Sequence, residues 1–338
     1  MSTLGFVRHS AFVFCAAAVS VGTLLPAPVV VKNAVFAAGS AIGAKGPDSI
    51  AVSRDSVWVA YSNGADSTGA SGSSIVARYD MTGKIVNQYT YPGYVDGLKY
   101  DTERDLIWVL QNQDGNSVLN LVDAKGKATT LTYAMQSGSR GYDDVVFING
   151  AIFTSYTNPV GASDPIIQYM TGVNPVTFAP VLTLGATGTN LATQQANQAV
   201  TQTDPDSLKA TPLGGLMLSS GSDGQLVFVH DLEQSVRSVS FLNILDGTTG
   251  KNVSGLDDAL FVTTPQGTVY VADTSNNQVL KVDVSGLTPM SVIASVSSLN
   301  AVVTVDMKTG TATALIPGLS GPHGLAFGPK FSSLFGAQ

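Results

Sequence analysis

GLDDALFVTTPQGTVYVADTSNNQVLKVDVSG, residues 255–286, holds three apolar runs separated by turn residues, with no helical period. DDALFVT, TVYVAD and QVLKVDV are rich in β-branched, aliphatic and aromatic side chains, and QVLKVDV alternates cleanly. Pro265-Gln266-Gly267 and Ser275-Asn276-Asn277 read as the turns between them. The stretch is predicted to be a strand–turn–strand–turn–strand module. Such a module cannot bury both faces alone and needs copies of itself.

The copies are present. Openings similar to GLDDALF recur as GPDSIAV at Gly46, GYVDGLKY at Gly93, GYDDVVF at Gly141, TDPDSLKA at Thr203 and GPHGLAF at Gly321. Their alignment places Asp48, Asp96, Asp143, Asp206, Asp257 and His323 in one column, at successive spacings of 48, 47, 63, 51 and 66 residues. Residues 190–203 and 287–299 account for the two long spacings as insertions. Second strands follow each opening (SVWVAYSN, DLIWVLQN, AIFTSYTN, GLMLSSGS, TVYVADTS), then third strands such as SIVARYD and QLVFVHD. A repeat of several strands without a helix is the blade of a β-propeller, so the fold class is all-β and six openings predict six blades. Only 18 residues remain from Gly321 onward, too few for a four-stranded blade. The ring therefore closes by borrowing VVVKNAVFAA from the amino terminus, or else it has an incomplete sixth blade or only five.

The amino terminus carries Arg8 and His9 and then an apolar run over residues 11–25, a pattern of secretory signals and too short for a membrane span. Residues 1–38 are assigned as signal peptide, with cleavage at Ala27 or at Ala37/Ala38, and residues 39–338 as a single propeller domain. Secretion or delivery to a periplasm follows. Removing residues 1–38 takes Arg8 and Lys32 from the 17 basic residues, nothing from the 24 acidic ones, and Cys15, the only cysteine. Disulfides and thiolate chemistry are thereby excluded from the mature chain. Its acidity, without a basic run, argues against nucleic acid and anionic membranes as partners.

GTVYVADTSNNQVLKVDVSG resembles an NHL repeat at nearly every patterned position, and GPHGLAFGP resembles the opening of the next one. The resemblance implies a propeller over about residues 46–329, similar in architecture to the regucalcin/gluconolactonase family and to streptogramin lyases. In the first family, calcium is held by acidic and amide side chains at positions such as the Asp of a PDG-type motif. In the second, catalytic histidines occupy PHG-type positions. The resemblance thus points to Asp48 as a metal position and to His323 as a catalytic one. This chain departs from both patterns: its column has no glutamate or asparagine, and its other mature histidine, His230, lies outside the column.

Chemistry leads to the same column. Carboxylates crowded around an axis repel one another, and protonation, turn capping or a bound cation relieves them. Oxygen ligands without sulfur favour Ca²⁺ or Mg²⁺, which makes Asp48, Asp96, Asp143, Asp206 and Asp257 candidate metal ligands and His323 a candidate proton carrier. Asp144, Asp204 and Asp258 add negative potential. The alternative is structural, because an Asp before a strand commonly caps a turn. Strand alternation is expected to turn the nearest cations, Lys45, Lys99, Arg140 and Lys209, away from the axis. Trp58 and Trp108 are expected in the core between blades. Tyr61, Tyr156, Asn63, Gln111, Asn112 and Asn158 line a polar pocket or serve turns. The expected function is an exported, monomeric binding or scaffold propeller with an acidic channel mouth for a cation, small molecule or protein partner. The alternative is a metal-dependent hydrolase or lactonase, so enzymatic activity stays open at this level.

Overall fold

Short runs of Val, Ile, Leu and aromatic residues, many of them stopped by glycine or by asparagine in the left-handed region, leave this chain little choice but strands. The computed structural model describes residues 27–123, 125–133, 140–173, 175–234 and 236–330. Among them the only helical turns are the 3₁₀ segments Gly39–Ile42 and Ser297–Leu299. The strands form six sheets arranged as the blades of a propeller.

Blade 1 is Pro47–Val52, Ser56–Tyr61, Ser73–Asp80 and Ile85–Pro92, from the axis outward. Blade 2 is Val95–Asp101, Leu106–Gln111, Val118–Asp123 and Ala128–Thr132, and blade 3 is Tyr142–Ile148, Ala151–Tyr156, Pro165–Val173 and Val176–Thr183. Blade 4 runs Pro205–Ala210, Leu216–Ser220, Gln225–His230 and Ser238–Asn243. Its edge is extended by Thr187–Asn190, which ends where the expected insertion begins, and by Gln198–Ala199 within that insertion. The innermost strands pack in cyclic order, blade 1 to blade 6 and back to blade 1. Six apolar clusters fill the six blade-to-blade interfaces. Trp58 and Trp108 are buried in two of them, as expected.

The stretch 255–286 is not one blade. Leu256–Phe261 is the innermost strand of blade 5 and pairs with Val292–Val296, followed outward by Ala301–Val305 and Thr311–Pro317. Gln266–Asp273 and Gln278–Ser285 instead form the middle of blade 6, whose innermost strand is Pro322–Pro329. The chain crosses from blade 5 to blade 6 and returns through two segments that run side by side. Met290 N–H donates to Val262 C=O at 2.7 Å and Leu287 N–H to Pro265 C=O at 3.0 Å. Residues 287–299 are therefore no insertion, since they contain the second strand of blade 5. Gln266 and Gly267, expected in a turn, are strand residues.

Blade 6 is completed by the amino terminus. Val29–Ala38 pairs antiparallel with Gln278–Ser285 as the outermost strand, and Phe36 meets Tyr270 and Tyr79 edge-on at 5.1 and 5.8 Å. Of the segment assigned as signal peptide, residues 1–26 lie outside the described residues, while residues 29–38 build the ring closure.

One irregularity recurs in every blade and shapes the axis. Each innermost strand has a β-bulge at the column: Pro47 pairs with Tyr61 but Ile50 with Val59, and the other five blades show the same slip. A bulge sets two residues against one, so consecutive side chains aim at the same side. Close approach of neighbouring strands there requires glycine: a Cβ on Gly97 would collide with the Asp143 carbonyl, and one on Gly324 with that of Asp48.

Candidate functional site

The bulges point each column residue and its successor into one axial cavity of about 180 Å³. All six column residues line it, and so do Asp144, Asp204, Asp258, Tyr94, Gln113, Ser207 and Lys209. Strict alternation would have sent Asp144 and Asp258 to the opposite side from Asp143 and Asp257. The cavity thus collects eight aspartates, in two tiers.

The upper tier is the column. His323 Nδ1 lies 3.0 Å from Asp257 Oδ1 and 3.2 Å from Asp48 Oδ1. The Asp257 carboxylate, with help from Asp48, pushes the imidazole up to about 12 against the effect of burial, so it is an imidazolium at neutral pH. Asp48 also accepts the Tyr94 hydroxyl at 2.5 Å. Burial raises the tyrosine far above its ordinary range, and Asp48 adds to this. On the other side of the ring, Asp96 and Asp143 hydrogen-bond one another, so one of them keeps a proton. Burial drives both upward, Asp96 to about 7. The Gln113 amide, its nitrogen facing Asp96, donates to both carboxylate oxygens at 2.9 and 2.8 Å. Burial, then Asp257 and Asp96, raise Asp206 well above the carboxylate range.

The lower tier is a buried ionic lattice. Asp144 Oδ2 accepts Lys99 Nζ at 2.9 Å, Lys209 Nζ at 3.1 Å and the Leu208 N–H at 3.0 Å. Lys209 continues to Asp258 Oδ1 at 2.7 Å, and Asp258 Oδ2 accepts the Leu325 N–H at 2.8 Å. Burial would raise Asp144, but Lys209 and Lys99 outweigh it and hold the carboxyl below its usual range. Burial works against the Lys209 charge, and Asp144 with Asp258 overcomes it, raising that lysine. The expectation that Lys99 and Lys209 turn away from the axis is overturned. They lie on inner strands three residues beyond the column, where the bulge has shifted the alternation. Lys45 is exposed and Arg140 pairs with Asp164 at 3.1 Å, so neither reaches the axis.

Only part of the column forms a possible metal group. One ligand atom each from Asp48, Asp257 and His323 lie within 4.8 Å of one another. Asp96, Asp143 and Asp206 line the same cavity outside that group. Two carboxylates and an imidazole suit a divalent ion of borderline hardness such as Mn²⁺ at least as well as Ca²⁺, which favours six to eight oxygens. His323 Nδ1 would have to lose its proton to serve. Asn63, Asn112 and Asn158, with φ of 55°, 60° and 50°, are turn residues, and Tyr61 is buried with its hydroxyl 2.9 Å from that of Tyr79. None of these four lines the cavity.

The raised carboxyls fix the sign of the pH response. Asp96 titrates near 7 in the folded chain against 3.8 as its ordinary value, so the folded state binds more protons across that interval. His323 extends the same sign from 6.5 to about 12. Stability from both groups is present in full below their ordinary values and is lost as pH rises. Urea midpoints in chelator should therefore be higher at pH 5 than at pH 8, and Asp96→Asn should flatten the difference. Equal midpoints would remove the raised Asp96 from the description.

No protein-family model matches the chain, and no curated protein matches it in sequence. Solved structures do resemble it. A streptogramin B lyase superposes with a TM-score of 0.50 at 14% identity, over 88% of this chain and 94% of that one. A protein assigned provisionally to the gluconolactonases gives 0.50 at 10% identity, over 86% and 82%. The periplasmic gluconolactonase of Pseudomonas aeruginosa gives 0.48 at 13%, over 84% and 88%. At such identities the first two likenesses establish the propeller architecture and carry no chemistry across.

Proposed function

We propose that this is an exported propeller that binds a divalent cation at Asp48, Asp257 and His323, and beside it a small ligand, in the acidic end of its axial channel. The convergence of those three side chains in a cavity lined by eight aspartates carries the reading. A bound cation would polarise an oxygen of the ligand. Around it, Tyr94 orients Asp48, and the Asp96–Asp143 pair holds an exchangeable proton within the same cavity. That proton favours, as second reading, a hydrolase or lactonase similar to the gluconolactonases, because ring opening needs a proton donor.

Melting in Mn²⁺, Ca²⁺ and Mg²⁺ against chelator tests the site. A cation at a hundred times its Kd adds about 2.7 kcal/mol by mass action. The gain should grow as pH rises through the neutral range, because the Nδ1 proton that Asp257 and Asp48 hold in place competes with the cation there. Asp257→Asn and His323→Ala should abolish it. If millimolar amounts of all three ions leave the wild-type melting temperature unchanged, the cation reading falls. A lactone panel separates the two readings: turnover that disappears with chelator supports the hydrolase, and cation binding without turnover supports the binding protein.

A further inference from the structure

The channel has a second mouth, chemically opposite to the first. Where the innermost strands end, Ile50 and Val52 of blade 1, Leu260 and Phe261 of blade 5 and Phe327 of blade 6 wall a cavity of about 270 Å³. Lys99 and Lys209 also line it. The two lysines are not equivalent. Lys209 Nζ has three acceptors, Asp144, Asp258 and Ser207 Oγ at 2.6 Å, which use all three ammonium hydrogens. Lys99 Nζ has two among the described residues, Asp144 Oδ2 and the Leu208 carbonyl at 3.4 Å. Lys99 thus has fewer protein acceptors than Lys209 and stands at a mostly apolar cavity, on a side chain only 18% exposed.

The lysines and their aspartates balance in charge, and the aspartates of the upper tier disfavour an anion nearby. A ligand that Lys99 takes at this mouth is therefore a neutral hydrogen-bond acceptor attached to an apolar body. We propose that the lower cavity is a second ligand site for a small apolar carbonyl compound, whose oxygen accepts the Lys99 N–H, and that an aldehyde held there condenses with Lys99 to an imine. In that step the amine nitrogen adds to the carbonyl carbon. The two amine protons pass to the carbonyl oxygen, with Asp144 Oδ2 as relay at 2.9 Å, and the oxygen leaves as water while the C=N bond forms. No oxidant or reductant is consumed. Burial supports the attack by pulling Lys99 down to about 8, so part of it is neutral near pH 7.5. This site is separate from the cation site and stands or falls apart from it.

Benzaldehyde with cyanoborohydride at pH 7.5, followed by peptide mass mapping, reads the result as a fixed benzyl adduct. Lys99 should react at least about tenfold faster than the exposed Lys45, Lys84 and Lys125. The advantage should vanish in urea. Benzamide, which offers the carbonyl but does not condense, should protect Lys99 and leave the exposed lysines unaffected. Labelling of Lys99 no faster than the exposed lysines, preferential labelling of Lys209, or no protection by benzamide would each overturn the proposal.

Discussion

Asp144→Ala is expected to destabilise the fold by about 3–5 kcal/mol, the usual cost of removing one partner from a buried ion pair. The carboxylate holds both Lys99 and Lys209, and it also accepts the N–H groups of Leu208 and Val145. Its loss leaves Lys99 with no ion-pair partner and takes the carboxylate acceptor from two buried amides. The strands concerned belong to blades 2, 3 and 4, so the damage falls on the packing of the ring and not on one blade. Asp55→Ala is the control. Asp55 is 75% exposed and pairs with Arg78 at 3.3 Å on the rim, where such pairs are worth less than about 1 kcal/mol. Urea unfolding of both variants decides the matter, and equal losses would mean that the lower tier does not hold the ring together.

The column was legible because a repeat can be aligned by its turn chemistry: a glycine or proline, then Asp or His, then an apolar run. That pattern brought Asp48, Asp96, Asp143, Asp206, Asp257 and His323 to one cavity without any knowledge of pairing. How they live together was not legible. Like charges at the axis suggest a missing cation, yet the chain meets much of the repulsion itself, through the His323 imidazolium, a shared proton between Asp96 and Asp143, and the Tyr94 hydroxyl. Lys99 and Lys209 escape the pattern for one reason. Strict alternation from the column turns them outward, and a bulge of one residue in each inner strand reverses the side that later residues face. Tyr94 and Gln113 stand two residues before the column and just after a second strand. Only the curvature of the ring brings them to the axis.

The crossing of residues 255–286 between two blades was hidden for a different reason. Two strands separated by a Pro-Gln-Gly sequence look like a hairpin, and nothing local separates a hairpin from a crossing of similar length. The sign lay further along, in residues 287–299. Treated as an insertion, they contain VIASV, a run as apolar and β-branched as any other strand. Its five residues are all buried in blade 5. An insertion that is as apolar as the core is better counted as a strand of the repeat.

The closure of blade 6 sets the last expectation, which concerns export. A chain beginning at Pro28 should fold, while one beginning at Gly39 should lose cooperative unfolding. The longer form keeps Val29–Ala38 paired along Gln278–Ser285. Most of this strand is exposed, but Phe36 and Ala37 enter the cluster between blades 6 and 1. Phe36 is 7% exposed and packs on Tyr270 and Tyr79, and losing such a side chain costs about 3–5 kcal/mol by itself. The backbone partners of Gln278–Ser285 would also lose their acceptors and donors along an entire edge, at a further 0.5–1.5 kcal/mol or so for each hydrogen bond. Together these losses approach the roughly 5–15 kcal/mol by which a domain is stable at all. Processing at Ala27 is therefore compatible with a closed ring, and processing at Ala38 is not. Denaturation of the two purified forms tests the energetics, and the intact mass of exported protein tests the cleavage. Exported material that starts at Gly39 and unfolds at the same urea concentration as the longer form would show that blade 6 holds without its outer strand.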